Sequence, residues 1–264
     1  LWKQIQNSMK KGESLSAGRV QSVVVKILID RENEIKKFSK SMFFKTQGTF
    51  EKDKSKLNCD LSQDFTNEED SRKFLNECMD STFTISDVKI KKTTRNPSAP
   101  FITSTLQQEA SNKFKMSPKT TMQCAQRLYE NGYITYMRTD SVVLSEDAQE
   151  MIKAHILQNY GDTYLNIKQY KNKSSNSQEA HEAVRPCKIN VTNIDNLGPG
   201  EQKLYKLIWN RTVASQMKPA KVNIKTSYID ISKRKEKFIS KQEKITFDGF
   251  LKIYKPYEDN SSED

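Results

Sequence analysis

Residues 131–141, NGYITYMRTDS, carry side chains that could perform nucleophilic chemistry on a phosphate. A tyrosine phenol can attack phosphorus and form a covalent phosphotyrosine, although a free phenol has a pKa of about 10 and needs activation. Arg138 stands two residues after Tyr136, and a guanidinium can stabilise the charge that develops on phosphoryl oxygens. In an extended strand alternate side chains share a face, which would place Ile134, Tyr136 and Arg138 together. A core strand whose tyrosines pack in the interior is the alternative.

Residues 15–22, LSAGRVQS, could bind phosphate at the start of a helix. Apolar residues at helical spacing follow from Val20, and a helix N-terminus offers free N–H groups to an anion. Gly18 would let the backbone approach a ligand closely, Arg19 adds a charged donor, and the amide of Gln21 can meet a base or a sugar. An ordinary helix start with a solvated arginine explains the same residues.

His181 lies within QEAHEAVRP, residues 178–186, with a glutamate on either side and Arg185 following. Histidine can donate to a phosphate or move a proton near neutral pH. The neighbouring glutamates also suggest a metal pair, but a second histidine is lacking. The end of a surface helix is the alternative interpretation.

The composition favours a folded protein of a reducing compartment, whose positive charge indicates either a polyanionic partner or a lysine-rich composition without one. Its 264 residues can form one large domain or two ordinary ones. The excess of 44 Lys+Arg over 33 Asp+Glu, net +11, favours nucleic acid or an anionic membrane face. The four cysteines lack zinc spacing and are too scattered for a disulfide framework. No apolar run approaches the roughly 20 residues that span a bilayer.

Periodicity predicts the elements that must position these residues. Strand-like alternation covers residues 43–50 and 82–91 and returns after Pro219. Polar residues 51–70 are expected to form a loop that runs into a helix over 67–79. The intervening region is helical, with Ser104 and Gln107 as a capping box, Ser117 and Ser145 as N-caps, and a final helix over 200–217. Residues 168–178 and the acidic tail are expected to be mobile. The order of elements predicts a helical domain inserted into a β domain.

Several long segments in one order resemble bacterial topoisomerase I, a type IA DNA topoisomerase. They are LWK, LSAGRVQSVVVKILIDRENEI, PSAPFITSTLQQEASNKFKMS, AQRLYENGYITYMRTDSVVLS, QEAHEAVRP, LYKLIWNRTVASQMKPA and FDGFLKIY. The resemblance covers nearly the whole chain apart from the polar inserts and the tail. Since the chain begins with Leu1 and its first residues, LWKQIQNSMKK, are typical of a segment within a domain, it is expected to be a central fragment.

The resemblance implies an activity and the residues that perform it. Type IA enzymes cut one DNA strand, hold its 5′ phosphate on a tyrosine, pass another strand through and reseal the break without ATP. Tyr136 is then the nucleophile, Arg138 orients and stabilises the scissile phosphate, and His181 lies near the catalytic centre. The implied DNA-binding residues are Lys3, Ser16, Ala17, Gly18, Arg19, Val20, Gln21 and Arg138.

The resemblance also implies an α+β fold in three parts. Residues 1–39 would belong to a helical DNA-gripping domain. Residues 40–95 and 219–264 would form a split β domain that acts as a hinged arch. Residues 96–218 would form a helical lid domain that carries the tyrosine and is inserted into the β domain.

Cofactor and partners follow from the same resemblance. In the full enzyme Mg²⁺ would bind to a toprim domain, which nothing in this chain matches. No metal ligand is therefore expected here, and the chain is expected to be inactive alone. The partners would be single-stranded and negatively supercoiled DNA, with no membrane, and the protein would be a monomer. The expected location is the cytoplasm or nucleoid, or a DNA-containing organelle.

Two other classes of protein are alternatives to a type IA topoisomerase. A type IB topoisomerase or tyrosine recombinase attacks with the opposite polarity and gathers several Arg and His residues around a tyrosine late in its catalytic domain. Here Arg138 follows Tyr136 by two residues. A non-enzymatic DNA-binding module descended from the enzyme is the second alternative, and an assay for the protein–DNA adduct distinguishes it.

Overall fold

The computed structural model describes residues 18–53, 55–172 and 181–255, which form a mixed architecture of one antiparallel sheet and six α-helices. The strands are β1 (Gln47–Lys52), β2 (Ser55–Leu61), β3 (Phe83–Arg95), β4 (Ala220–Ile231) and β5 (Lys237–Phe247). The helices are α1 (Arg19–Lys37), α2 (Glu68–Met79), α3 (Thr103–Phe114), α4 (Pro118–Glu130), α5 (Glu146–Tyr160) and α6 (Pro199–Ser215), with short 3-10 helices at Asp162–Tyr164 and Gly249–Lys252. The mixture of sheet and helices predicted from the sequence is confirmed.

The sheet has the strand order β1-β2-β5-β4-β3. The prediction that residues 51–70 form a loop is wrong, because β1 and β2 pair as a hairpin that turns at Asp53, whose φ is +48°. Aspartate tolerates this left-handed conformation better than most residues. Cys59 and Leu61 are buried along β2, and their alternation with polar residues is too short to stand out within the polar segment 51–70.

Helix α2 packs on the sheet through Phe74, whose side chain is fully buried. Its ring lies 5.2 Å from that of Phe65 and 6.3 Å from that of Phe238 on β5. The helix over residues 67–79 is confirmed, with Asn67 as the N-cap that accepts a hydrogen bond from the backbone N–H of Asp70 at 2.8 Å. These rings make a core that belongs to the sheet.

Helices α3 to α6 share a second and larger core. Its buried side chains include Leu106, Leu128, Ile152, Leu204 and Ile208. Ser117 and Ser145 cap α4 and α5 as predicted, each accepting from a backbone N–H three residues on. The predicted capping box of Ser104 and Gln107 is wrong, because α3 already begins at Thr103.

The strand-like alternation predicted after Pro219 does not continue through KITFDGFLKIY, residues 244–254. Strand β5 stops at Phe247, and Gly249–Lys252 form a 3-10 helix that places Phe250 and Tyr254 in the helical core. Gly249 adopts φ +49°, and a Cβ there would lie 2.4 Å from the carbonyl oxygen of Lys218. A glycine at this position therefore permits the turn back onto the helices.

The helical region enters and leaves the sheet at adjacent points. Arg95 at the end of β3 and Ala220 at the start of β4 are register partners. Arg211 on α6 donates to the carbonyl oxygen of Ala99, in the connection from β3 to α3, at 2.7 Å and to the hydroxyl of Tyr254, beyond β5, at 3.1 Å. Tyr254 in turn donates to a carboxylate oxygen of Glu109 at 2.8 Å.

Helix α1 begins at Arg19, as predicted, and its apolar side chains are exposed from Val20 to Ile35. None of the helices within the described ranges is long and apolar enough to cross a membrane. The predictions of mobility over residues 173–178 and in the acidic tail from 257 fall outside the described residues.

Candidate active site

Tyr136 lies on an irregular loop, so the predicted strand over residues 133–139 is wrong. The segment contains turns and a single bridge between Ile134 and Pro186. Ile134 and Met137 are each 1% exposed, whereas Tyr136 is 42% exposed. Because the buried anchors are three residues apart, the backbone must turn between them, and Ile134 does not share a face with Tyr136. Arg138 is exposed like Tyr136.

The ring of Tyr136 is supported by helix α4. Tyr129 meets it edge to face, with ring centroids 5.2 Å apart and an interplanar angle of 65°. Such arrangements match the positive edge of one ring to the negative face of the other. Within the described part of the chain, the Tyr136 hydroxyl has no hydrogen-bond partner. A phenol that is exposed and unpaired is available as a nucleophile.

The residue before Tyr136 is fixed to the segment that follows His181. The backbone N–H of Thr135 donates to the carbonyl oxygen of Arg185 at 2.9 Å. The Thr135 hydroxyl donates to the carbonyl oxygen of Ala183 at 2.7 Å and accepts from the N–H of Arg185 at 3.0 Å. These three bonds tie the tyrosine loop to the histidine segment.

Glu182, next to His181, is an anchor for the same segment. Its carboxylate accepts from the backbone N–H of Ser145 at 2.8 Å and from the guanidinium of Arg185 at 2.7 Å. Burial alone would raise the pKa of Glu182, but the bonds from Ser145 and Arg185 and the charge of Arg185 outweigh it, so the pKa is lowered. The carboxylate is therefore held ionised as a structural group.

Arg138 stands between two grooves. The first has a volume of about 510 Å³ and lies at the start of α3. Its lining includes Ser104, Gln107, Arg138, Asp140 and His181. The second, about 610 Å³, runs along α4. Its lining includes Lys119, Gln123, Gln126, Glu130 and Arg138. The structure thus brings Arg138 and His181 to one groove, beside the loop that exposes Tyr136.

The expected DNA-binding segment is only partly described. Lys3, Ser16 and Ala17, and the side chain of Arg19, fall outside the described residues. Gly18 is exposed with φ −148° and ψ 156°, an extended conformation that any residue adopts, so the backbone freedom of glycine is not used. Val20 and Gln21 are exposed on the first turn of α1.

Three supporting residues were missed by reasoning from the sequence. Thr103 bonds to the tyrosine loop, Tyr129 packs against the ring of Tyr136, and Thr135 bonds the loop to Ala183. Thr135 stands inside the YITYMRT motif and Tyr129 seven residues before Tyr136, but only the folded structure shows their partners.

The described residues hold no group of three or more His, Cys, Asp or Glu side chains that could bind a metal ion. The four cysteines are free. Burial raises the pKa of each thiol, which keeps it protonated.

Comparison with known proteins identifies the class. The protein family described as DNA topoisomerase matches residues 1–264, so the chain belongs to the DNA topoisomerases. It is 46% identical over 276 residues to the DNA topoisomerase 1 type prokaryotic of Acanthamoeba polyphaga mimivirus, an alignment that covers 92% of this chain and 32% of the viral protein. Its fold matches full-length topoisomerase I of Thermotoga maritima with a TM-score of 0.76 and 32% identity, over 93% of this chain and 41% of that protein. Within the topoisomerases it is of type IA, and it spans less than half the length of either relative.

Proposed function

We propose that this chain is the part of a type IA DNA topoisomerase that carries the cleaving tyrosine, Tyr136. The whole protein would relax negatively supercoiled DNA without ATP. The observation that carries the proposal is the exposed phenol of Tyr136, which has no hydrogen-bond partner among the described residues, on a loop whose Arg138 shares a groove with His181. Family membership supports the same chemistry.

The proposed chemistry exchanges one phosphodiester for another. The Tyr136 oxygen attacks phosphorus and gives up its proton to solvent, the bond from phosphorus to the 3′ oxygen breaks, and the 5′ phosphate remains on the tyrosine. Arg138 stabilises charge on the phosphoryl oxygens, and His181 can donate a proton to the departing 3′ oxygen. Religation is the reverse attack by the 3′ hydroxyl. Because a phosphodiester is retained throughout, no nucleotide hydrolysis is required.

A three-part layout supports strand passage in this proposal. Residues 1–39 belong to the DNA-gripping domain, 40–95 and 219–264 form the arch, and 96–218 form the lid that carries Tyr136. The separate hydrophobic cores of the sheet and of the helices support a division into arch and lid, with Phe250 and Tyr254 of the arch segment packed in the core of the lid. Opening the lid would move Tyr136, with the DNA end attached, away from the gripping domain.

The proposed partners are single-stranded and negatively supercoiled DNA, and the net charge of +11 favours such binding. Lys3 and residues 16–21 are the proposed contacts besides Arg138. Mg²⁺ is proposed for the full enzyme; the described residues offer no group that fits it, and no step above uses it. The chain alone is proposed to bind DNA without relaxing it. The protein would act as a monomer in the cytoplasm or nucleoid, or in a DNA-containing organelle.

The proposal is tested with the full-length enzyme carrying Tyr136→Phe. This change keeps the ring and its contact with Tyr129 but removes the nucleophile, so no protein–5′-DNA adduct should form on labelled DNA in denaturing gels. Tyr133→Phe is the matched control, because it removes a phenol that donates to Asn196 at 2.7 Å. Adduct that persists in Tyr136→Phe, or that disappears only in Tyr133→Phe, would refute the assignment.

A further inference from the structure

We propose that Thr103, at the start of α3, is a positioning residue that fixes the direction of Arg138 during DNA cleavage. The inference rests on the function proposed above and adds to it a residue outside the tyrosine loop. Thr103 touches no reacting atom in this proposal. It acts through the backbone on either side of Arg138.

One hydroxyl holds both peptide groups that flank Arg138. The Thr103 hydroxyl shares its proton between the carbonyl oxygens of Met137, at 2.8 Å, and Thr139, at 3.0 Å. It also accepts from the backbone N–H of Thr139 at 2.9 Å. The backbone N–H of Thr103 adds a fourth bond, to the carbonyl oxygen of Thr139 at 3.0 Å.

These contacts restrict the backbone of Arg138 itself. The φ and ψ angles of a residue are set by the planes of the peptide groups before and after it. The carbonyl of Met137 belongs to the first plane and the N–H of Thr139 to the second, and both are bonded to the same oxygen. That arrangement fixes the direction in which the side chain of Arg138 leaves the backbone.

Thr103 can act as a fixed point because its helix is anchored. Leu106 and Ala110, on the next turns of α3, are fully buried in the helical core. Threonine is β-branched and has restricted χ1 rotamers. This restriction suits a hydroxyl that must form hydrogen bonds with two carbonyl oxygens and one N–H at once. Met137, one of its partners, is itself buried at 1% exposure. By contrast, Arg138 is exposed and has no ion pair among the described residues, so its direction depends on its backbone.

The test compares Thr103→Val and Thr103→Ser in the full-length enzyme. Valine keeps the shape and removes the hydroxyl, whereas serine keeps the hydroxyl. Misplacing a catalytic group by about 1 Å can cost roughly 10²-fold in rate. We therefore expect Thr103→Val to slow single-turnover cleavage of labelled single-stranded DNA by about 10- to 100-fold, with DNA affinity changed less than about threefold. Thr103→Ser should restore the rate to near that of the wild type.

The matched control is Thr105→Val, two residues along the same helix. The Thr105 hydroxyl accepts from the N–H of Ile102 at 3.1 Å and makes no contact with the Arg138 backbone. Its loss should lower the melting temperature while leaving the cleavage rate close to the wild-type value. Equal rate losses in Thr105→Val and Thr103→Val would overturn the inference, since a general disturbance of α3 would then explain both.

A double-mutant cycle separates positioning of Arg138 from other roles. In an Arg138→Ala background, Thr103→Val should slow cleavage no further, because the group that it positions is already absent. A full additional loss would contradict the proposal. If Thr103→Val does not fold, Thr103→Ser still tests it, since a strong rate loss with the hydroxyl retained would count against it. Wild-type enzyme that forms no adduct would instead refute the proposed function.

Discussion

Tyr129 and Tyr136 pack edge to face with their ring centroids 5.2 Å apart, although each residue is 42% exposed. Tyr129 lies near the end of α4, beside the fully buried Leu128. The ring of Tyr136 is thus supported by a ring on a helix that is packed into the core. Since no described residue bonds to the Tyr136 hydroxyl, this ring contact is a main determinant of where the phenol points.

Removing that contact should slow cleavage without abolishing it. An aromatic pair contributes about 0.5–1.5 kcal/mol beyond its buried area, which corresponds to a rate change of roughly two- to tenfold. Tyr129→Ala in the full-length enzyme should therefore show this loss in single-turnover adduct formation. Tyr129→Phe, which keeps the ring, is the control and should match the wild type. A Phe variant as slow as the Ala variant would show that the hydroxyl, not the ring, matters.

Arg138→Ala should slow DNA cleavage much more than it weakens DNA binding. Removing one donor aimed at developing charge typically costs about 10²–10³ in rate, so cleavage should fall by this factor while affinity falls only modestly. Lys119→Ala is the control, because it removes a positive charge from a groove that Arg138 also lines. Cleavage rate and affinity are measured on the same labelled oligonucleotide. A parallel fall of both in Arg138→Ala would make Arg138 a binding residue.

The lowered pKa of Glu182 predicts that the folded protein loses stability at acid pH. Its pKa is lowered in the folded protein, because the bonds from Ser145 and Arg185 and the charge of Arg185 outweigh burial. A lowered folded pKa means that the carboxylate stabilises the fold above its unfolded pKa of about 4.3. That stabilisation is lost as the pH falls from there through the folded value.

Glu182→Gln should therefore lower the melting temperature at neutral pH and flatten its dependence on pH below about 4.3. The exposed Glu150 on α5 provides the control variant Glu150→Gln, which should keep the wild-type profile. Thermal melts followed by circular dichroism across the acid range check both. An unchanged slope in Glu182→Gln would mean that other carboxylates determine the acid sensitivity.

Local patterns predicted the helices well, because their signals lie within a few residues. Ser117 and Ser145 precede their helices directly, and each makes the expected cap. Strand β2 was missed because its apolar alternation is short, with only Leu57, Cys59 and Leu61, and lies within the polar segment 51–70. Such a strand becomes recognisable only when its partner is known, and its partners include β5, far along the chain.

The site was harder to predict than the helices. Tyr136, Arg138 and His181 were singled out by residue type and by resemblance, and the structure places the latter two in one groove. The strand proposed for their loop was wrong, since the loop is shaped by buried Ile134 and Met137 and by bonds to distant segments. No local pattern reveals that Thr103 holds the backbone around Arg138.

The register pairing of Arg95 with Ala220 has a consequence for the origin of this architecture. Paired Cα atoms in an antiparallel sheet lie only about 5 Å apart. Residues 96–219 therefore begin and end at neighbouring positions, where the turn of a β3–β4 hairpin would otherwise lie. A short turn could connect β3 to β4 directly without altering their pairing. The whole helical segment could therefore have been acquired as a single insertion, with its two ends already close enough together to join an existing hairpin.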